Sequence, residues 1–199
     1  MNMRRHLGAV VISLGILASD NSGCSHDETA SRPAAASQGS EATPPEQPRM
    51  SDGQILYVIS TVDTAEIAQA EVARERATSA AVNSFAQDMI RAHTGAKQQG
   101  ERLLAEKGIV ASDSQLAQKL RTQGEKALAD LQAAGAMDFD AQYVKAQIRQ
   151  HREVLDMIQH QLVPAANDAH LRGHLSQAAQ MVSQHLEQAQ QLQTTLPNG

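Results

Sequence analysis

The stretch LRGHLSQAAQMVSQHLEQAQQLQTTL, residues 171–196, decides the fold. Its apolar and small side chains recur at alternating spacings of four and three residues, the core register of helices packed in a bundle. The register positions are Leu171, Leu175, Ala178, Val182, His185, Ala189, Leu192 and Leu196. His185 is ionisable, although an apolar residue is expected at such a position. The stretch therefore predicts a long bundle helix with one polar side chain facing the core.

Three further long helices precede this one in the chain. Capping residues at their starts and Gly or Pro at their ends predict four long helices, near residues 51–77, 79–107, 138–163 and 168–196. Very short connections join the first pair and the last pair, so each pair is expected to form an antiparallel hairpin. The segment between the pairs contains a shorter helix that a capping box at Ser112 starts and Gly135 ends.

This arrangement predicts an all-α fold. Four long helices with one long middle crossover are the ferritin-like form of the four-helix bundle, and here the crossover contains the shorter helix. The predicted bundle occupies residues 51–196. An aromatic content of 2% and a second half rich in Ala, Gln and Leu favour helices over a sheet.

Each of the other long helices also places one ionisable residue in its core register, namely Glu66, His93 and His151. A helix rises about 1.5 Å per residue, so, counted from the turn inside each hairpin, Glu66 and His93 differ in depth by roughly 3 Å. By the same count, His151 and His185 differ by roughly 6 Å. The sequence therefore predicts that four polar side chains meet near the middle of the bundle.

Three imidazoles and one carboxylate form a sensible ligand set for a single transition-metal ion, namely Zn, Fe, Cu or Mn. Bundle cores build metal sites from facing helices in this way, but ferritin-like di-iron sites use Glu-x-x-His pairs. The residues three positions before the three histidines are apolar. They are Ile90, Ile148 and Val182. The pattern thus favours a mononuclear site formed by Glu66, His93, His151 and His185.

The same four residues also fit a buried hydrogen-bond network that contains no metal. Glu66 can pair with one imidazolium, and the other histidines can bond each other or water, which fixes the helix register without chemistry. Asp63, next to Glu66 in the helix, either assists a site or is simply solvated on the helix surface. Both interpretations of the cluster remain open from the sequence.

A second group of histidines is expected on the surface. His170 and His174 are one turn apart and can chelate an ion from one helix face. His160 is about half a turn out of phase with His151, so it faces outward if His151 faces the core. Solvated side chains are the expected state of all three.

The N-terminus has the features of an export signal in residues 1–24. Arg4 and Arg5 precede a short apolar segment, which is too short to span a membrane. Small residues then lead to Cys24, the only cysteine, as in a bacterial lipoprotein signal, although the usual aliphatic residue three positions earlier is absent. The prediction is lipidation of Cys24; the alternative is plain secretion with cleavage near Ala18.

Residues 25–50 contain almost no large apolar residue and are predicted to form a disordered tether. The predicted location is the periplasmic side of the cell envelope, with the membrane as a partner through the lipid anchor. A net charge of -5 and the lack of a Lys/Arg cluster after residue 6 argue against nucleic acid.

The folded part resembles a bacterial envelope family known as domain of unknown function 4142. The stretches that carry the resemblance are AEIAQAEVARERATS (65–79), FAQDMIRAHTGAKQQGERLLAEKGI (85–109), FDAQYVKAQIRQH (139–151) and QHLEQAQQL (184–192). The family's Glu and three His positions match Glu66, His93, His151 and His185. The resemblance implies a ferritin-like, exported protein but no established activity.

Two classes of function therefore remain. One is an envelope-anchored bundle that binds a single metal ion, and the other is a non-catalytic interaction or structural module with a buried Glu/His network. No nucleophile–base pair, phosphate loop or Cys-x-x-Cys motif appears in the sequence, so a non-enzymatic role is favoured.

Overall fold

The computed structural model describes residues 49–196, and within this range the protein consists of helices and connections with no strand. The predicted signal segment, Cys24 and nearly all of the predicted tether lie outside the described residues. The helices are α1 (Asp52–Arg76), α2 (Ala80–Lys107), α3 (Gln115–Ala133), α4 (Phe139–Met157) and α5 (Ala169–Thr195). The all-α prediction is confirmed, and the helix boundaries lie within a few residues of those predicted, except at the end of α4.

Most of the residues predicted to start or end the helices do so in the structure. The side chains and backbones of Ser51 and Gln54 form a reciprocal capping box at the start of α1. Gly108 ends α2 in the left-handed conformation, with φ of 61°. The predicted capping box at Ser112 is wrong, because Ser114 is the residue that caps α3, accepting from the backbone N–H of Ala117.

The C-terminal end of α4 differs from the prediction. The chain does not leave the helix before Pro164 but continues through a π-helical turn, Ile158–Leu162, and a last turn, Val163–Ala165. Pro164 has no N–H, and its ring would clash with the carbonyl four residues earlier in a regular α-helix. The wider turn, in which the Val163 N–H bonds to the Ile158 carbonyl, accommodates the proline.

α1 packs against two other helices along its length. α1 packs along both α2 and α3, α4 packs along α5, and α2 also contacts α5. α3 approaches α1 so closely at Gly124 that an added Cβ would lie 2.6 Å from the Cβ of Ala65. Because α1 is covered on two sides, its buried residues extend well beyond a single stripe.

A polar layer divides the core into two apolar parts. One part includes Ile55, Leu171 and Leu175, and the other includes Phe85 and Phe139. Between them lie seven buried polar side chains, those of Asp63, Glu66, Gln69, His93, Gln147, His151 and His185. Burial of so many polar groups is costly unless each one has a partner. None of the helices described is both long and apolar enough to cross a membrane.

Candidate metal centre

Three of the four predicted site residues meet in the polar layer. His93 on α2, His151 on α4 and His185 on α5 are each at most 5% exposed. Their ring centroids are 5.9 Å apart for His93 and His151, 5.3 Å for His93 and His185, and 5.5 Å for His151 and His185. One candidate ligand nitrogen from each ring lies within 4.8 Å of those of the other two. The cluster is therefore compact and surrounded by protein.

Hydrogen bonds to oxygen atoms set the orientation of two of the rings. The Nδ1 of His93 lies 2.8 Å from a carboxylate oxygen of Asp63, and the Nδ1 of His151 lies 3.0 Å from the backbone carbonyl of Gln147. A carboxylate or carbonyl oxygen only accepts, so Nδ1 of each ring must be the protonated donor. In the neutral form, the lone pair of each ring is then on Nε2.

These lone pairs have no partner in the protein. The Nε2 atoms of His93 and His151 and the Nδ1 atom of His185 are all buried without a hydrogen bond. Buried nitrogens normally have a partner, and an unpaired one costs about 1–3 kcal/mol. Each ring of the cluster therefore presents one nitrogen that the protein itself leaves unsatisfied.

The cluster also favours neutral imidazoles. Burial, reinforced by the neighbouring His93 and His185, lowers the pKa of His151 from 6.5 to about 3. Burial and the neighbouring His93 lower the pKa of His185 to about 4. Neutral imidazole is the form that binds a metal ion, so these two rings are ready to act as ligands near pH 7.

Glu66 is buried beside the cluster but does not belong to the compact group of three. Its side chain is 3% exposed, and its Oε2 atom has no partner. Burial raises the pKa of Glu66, while the charge of His93 and the amide of Gln147 oppose this shift. The buried hydroxyl of Tyr143 is also unpaired, and burial together with the Glu66 charge raises its pKa. The role of Glu66 as a metal ligand stays a prediction.

Two further residues are buried, Asp63 and His174. The sequence left the position of Asp63 open and predicted a surface position for His174. Asp63 is 2% exposed and holds His93, so it is not a solvated surface residue. His174 is 8% exposed, and the surface prediction for it is wrong because the side-chain-free Gly100 on α2 leaves room for its ring. His160 and His170 are exposed, as predicted.

The fold and the site together define an all-helical domain with a buried cluster of three histidines. A family model described as "Domain of unknown function (DUF4142)" matches residues 35–192, and the chain belongs to this family. The sequence motifs indicated the same family, and the match begins upstream of α1. No curated protein and no solved structure is detectably similar to the chain.

The contact between Asp63 and His93 leads to a first prediction. In Asp63→Asn, an amide replaces the carboxylate and can donate to Nδ1, which moves the ring proton to Nε2 and blocks the ligand lone pair. We expect the affinity for Zn²⁺ to fall by about 10–100-fold, measured by competition with a chromophoric chelator.

A matched control lies on the surface of the same protein. Asp156 and His160 form an exposed pair with Oδ1 and Nδ1 3.0 Å apart, so Asp156→Asn changes the same chemistry away from the cluster. Its affinity should equal that of the wild type. Equal affinities of Asp63→Asn and the wild type for Zn²⁺ would show that Asp63 does not contribute to metal binding.

Proposed function

We propose that this protein is an envelope-anchored, ferritin-like four-helix-bundle domain that binds one transition-metal ion in its core. His93, His151 and His185 are the ligands that the geometry supports best, with Glu66 as a fourth candidate beside them. The observation that carries the proposal is the set of three unpaired ring nitrogens, one from each helix of the cluster.

A network of hydrogen bonds without metal satisfies these nitrogens poorly. The Nε2 atoms of His93 and His151 are both acceptors when the rings are neutral, so they cannot bond each other. His185 carries a single ring proton in its neutral form and can donate it to only one of them. Within the three rings alone, at least one buried lone pair then lacks a donor and needs a water molecule or a protonated Glu66, whereas a metal ion accepts from all three nitrogens at once.

The donor set also restricts the metal. Imidazole nitrogens suit Zn, Cu and Fe, whereas Mn prefers carboxylate and water oxygens, so Mn is the least suited of the four expected metals. Bonds of about 2.0–2.1 Å to each nitrogen require the rings to move closer than their present limit of 4.8 Å.

The bundle architecture is supported by the two hairpins and the segment that joins them. α1 packs against α2, α4 packs against α5, and α3 lies in the connection between the pairs. This is the order expected of a ferritin-like bundle with a long crossover. A bound metal would contribute ligand chemistry within this frame, and we assign no reaction to it.

Metal analysis of the purified protein tests this function. The full chain is prepared without an affinity His tag, stripped with a chelator and offered Zn²⁺, Cu²⁺, Fe²⁺ and Mn²⁺ in turn. We expect a single ion per chain for at least one of the first three metals, measured by elemental mass spectrometry after desalting. If no metal is retained, the buried-network interpretation replaces the proposed function.

The envelope anchor makes a separate prediction. Because a single acyl chain gives only marginal binding, the several chains of a mature lipoprotein are needed for firm attachment. We expect the wild type to sediment with membranes and Cys24→Ser to lose this attachment or its processing, measured by fractionation and mass spectrometry of the N-terminus. Ser22→Ala, which keeps the cysteine, is the control. A soluble wild type cleaved near Ala18 would contradict lipidation.

A further inference from the structure

A cleft between α1, α3 and α4 leads from the surface to buried residues of the polar layer. It has a volume of about 390 Å³, within the range of small-molecule sites. Its rim consists of exposed polar side chains, those of Lys119, Gln123, Glu153 and Gln161. Its walls include Leu116, Leu120 and Met157, and Glu66 and Gln69 line its buried end.

Glu66 connects the cleft with the cluster. Its side chain lines the cleft, yet it lies close enough to His93 for the charge of that ring to act on it. The Oε2 atom of Glu66 is buried and unpaired, and so is the Oε1 atom of Gln150 in the same cleft. Two buried oxygen acceptors without partners in the protein thus belong to side chains that line the cleft.

We propose that this cleft is the entry route of a hydrated divalent cation and that Glu66 binds the cation before the histidines do. The inference rests on the proposed function, since it concerns how the same site is filled. A carboxylate and amide oxygens replace the oxygen ligands of a hydrated ion, and the nitrogen ligands then replace these oxygens deeper in the core.

Two other directions of approach are less suitable. Apolar clusters close the core on both sides of the polar layer. A second pocket, between α1, α2 and α5, reaches Asp63 and His174 but has a volume of only about 50 Å³. A divalent cation that keeps several of its waters needs several times the space of a single water. The larger cleft offers more of this space, since the small pocket has only about one eighth of its volume.

The end of α4 adds to the cleft. Met157, which precedes the π-helical turn, and Gln161, which lies within it, both line the cleft. π-helical turns interrupt the regular backbone ladder and occur frequently at functional sites. The turn that accommodates Pro164 therefore also shapes the wall beside the helix that carries His151.

The rate of Co²⁺ uptake by the full-length apo protein tests the route, since the absorption of bound Co²⁺ reports the event in a stopped-flow instrument. Leu120→Trp narrows the cleft without touching the cluster. We expect both association and dissociation to slow at least about tenfold while Kd stays unchanged, because a path alters rates and not the end states. Leu116→Trp serves as a second narrowing variant if Leu120→Trp does not fold by circular dichroism.

The matched control is Leu128→Trp, the same substitution on the same helix, at a pocket on the other flank of α1. It should leave both rates unchanged. Glu66→Gln keeps the volume and removes the charge, and we expect it to slow association about tenfold. If Glu66 acts only as a final ligand, dissociation accelerates instead and association is unaffected, which would refute its role on the route.

Two other outcomes would overturn the inference in distinguishable ways. If Co²⁺ binds at wild-type rates in both narrowing variants, or if Gly100→Ala in the small pocket slows uptake instead, the ion enters elsewhere and the proposed function still stands. If the wild type shows no Co²⁺ absorption and retains none of the tested metals, the proposed function fails and the entry route fails with it.

Discussion

His151→Leu is expected to abolish metal binding and to leave an apo protein that is at least as stable as the wild-type apo protein. The substitution removes one of the three proposed ligands, and the two that remain are too few to hold the ion. It also removes one buried, unpaired nitrogen and fills a core position with an apolar side chain of similar size. The two effects are independent and are measured separately, by metal content and by chemical unfolding.

Metal should raise the stability of the wild type but not that of this variant. At a free metal concentration 100 times Kd, binding adds about 2.7 kcal/mol to the free energy of unfolding. For a chain of this size this corresponds to a rise in Tm of about 5–10 °C. His160 is an exposed histidine near the end of the same helix. His160→Leu is therefore the matched control and should keep the full rise in Tm on metal binding.

The buried-network interpretation gives the opposite result. If the imidazoles only form hydrogen bonds with one another, His151→Leu leaves its former partners without a hydrogen bond. The free energy of unfolding of the apo protein then falls by about 1–3 kcal/mol. Metal then changes neither the wild type nor the variant. Loss of apo stability together with an absent metal effect would therefore favour a structural module over a metal-binding one.

The residues of the site could be predicted because apolar residues recur with a simple period along helices that pack around a core. In α2, the seven positions that follow alternating spacings of four and three residues are all buried, namely Val82, Ala86, Met89, His93, Ala96, Gly100 and Leu103. The same spacing on the other long helices predicts that Glu66, His151 and His185 face the core, and all three are buried. The spacing of the apolar residues thus predicts that a polar residue at a core position is buried, whether or not it has a function.

The partners of these residues could not be predicted from one helix at a time. Asp63 lies outside the main stripe of α1 and is buried because α1 is covered on two sides, which is a property of the assembled fold. The Nδ1 partner of His151 is a backbone carbonyl, which no side-chain pattern reveals. For His174 a signal existed, since Gly100 in the register of α2 marks a position where another helix's side chain can fit.

The apo protein should lose stability steeply as the pH falls below about 6.5. The pKa values of His151 and His185 in the folded protein, about 3 and about 4, are lower than the ordinary histidine value of 6.5 that applies to the unfolded chain. Between these values the unfolded chain binds protons that the folded protein does not, so acid favours unfolding. The stability conferred by neutral burial is complete above pH 6.5 and declines until the folded pKa values are reached.

The expected loss is a substantial fraction of the free energy of unfolding of an ordinary domain, which is about 5–15 kcal/mol. Each histidine contributes about 1.4 kcal/mol per pH unit once it is well below its unfolded pKa, so the pair removes about 3 kcal/mol between pH 6.5 and pH 5. His174, whose pKa burial also lowers, acts in the same direction. Glu66 opposes them, because its raised pKa lets the folded protein keep a proton that the unfolded chain releases above pH 4.5.

Urea unfolding in the presence of EDTA at several pH values between 7 and 5 measures this balance. The slope of the unfolding free energy against pH counts the protons taken up on unfolding. His151→Leu should reduce the slope by about one proton, and Glu66→Gln should increase it, because it removes the opposing group. His160→Leu should leave the slope unchanged, since that ring is exposed. If His151→Leu and the wild type have the same slope, His151 is not buried as a neutral ring, and the ligand geometry inferred from its unpaired nitrogen is lost with it.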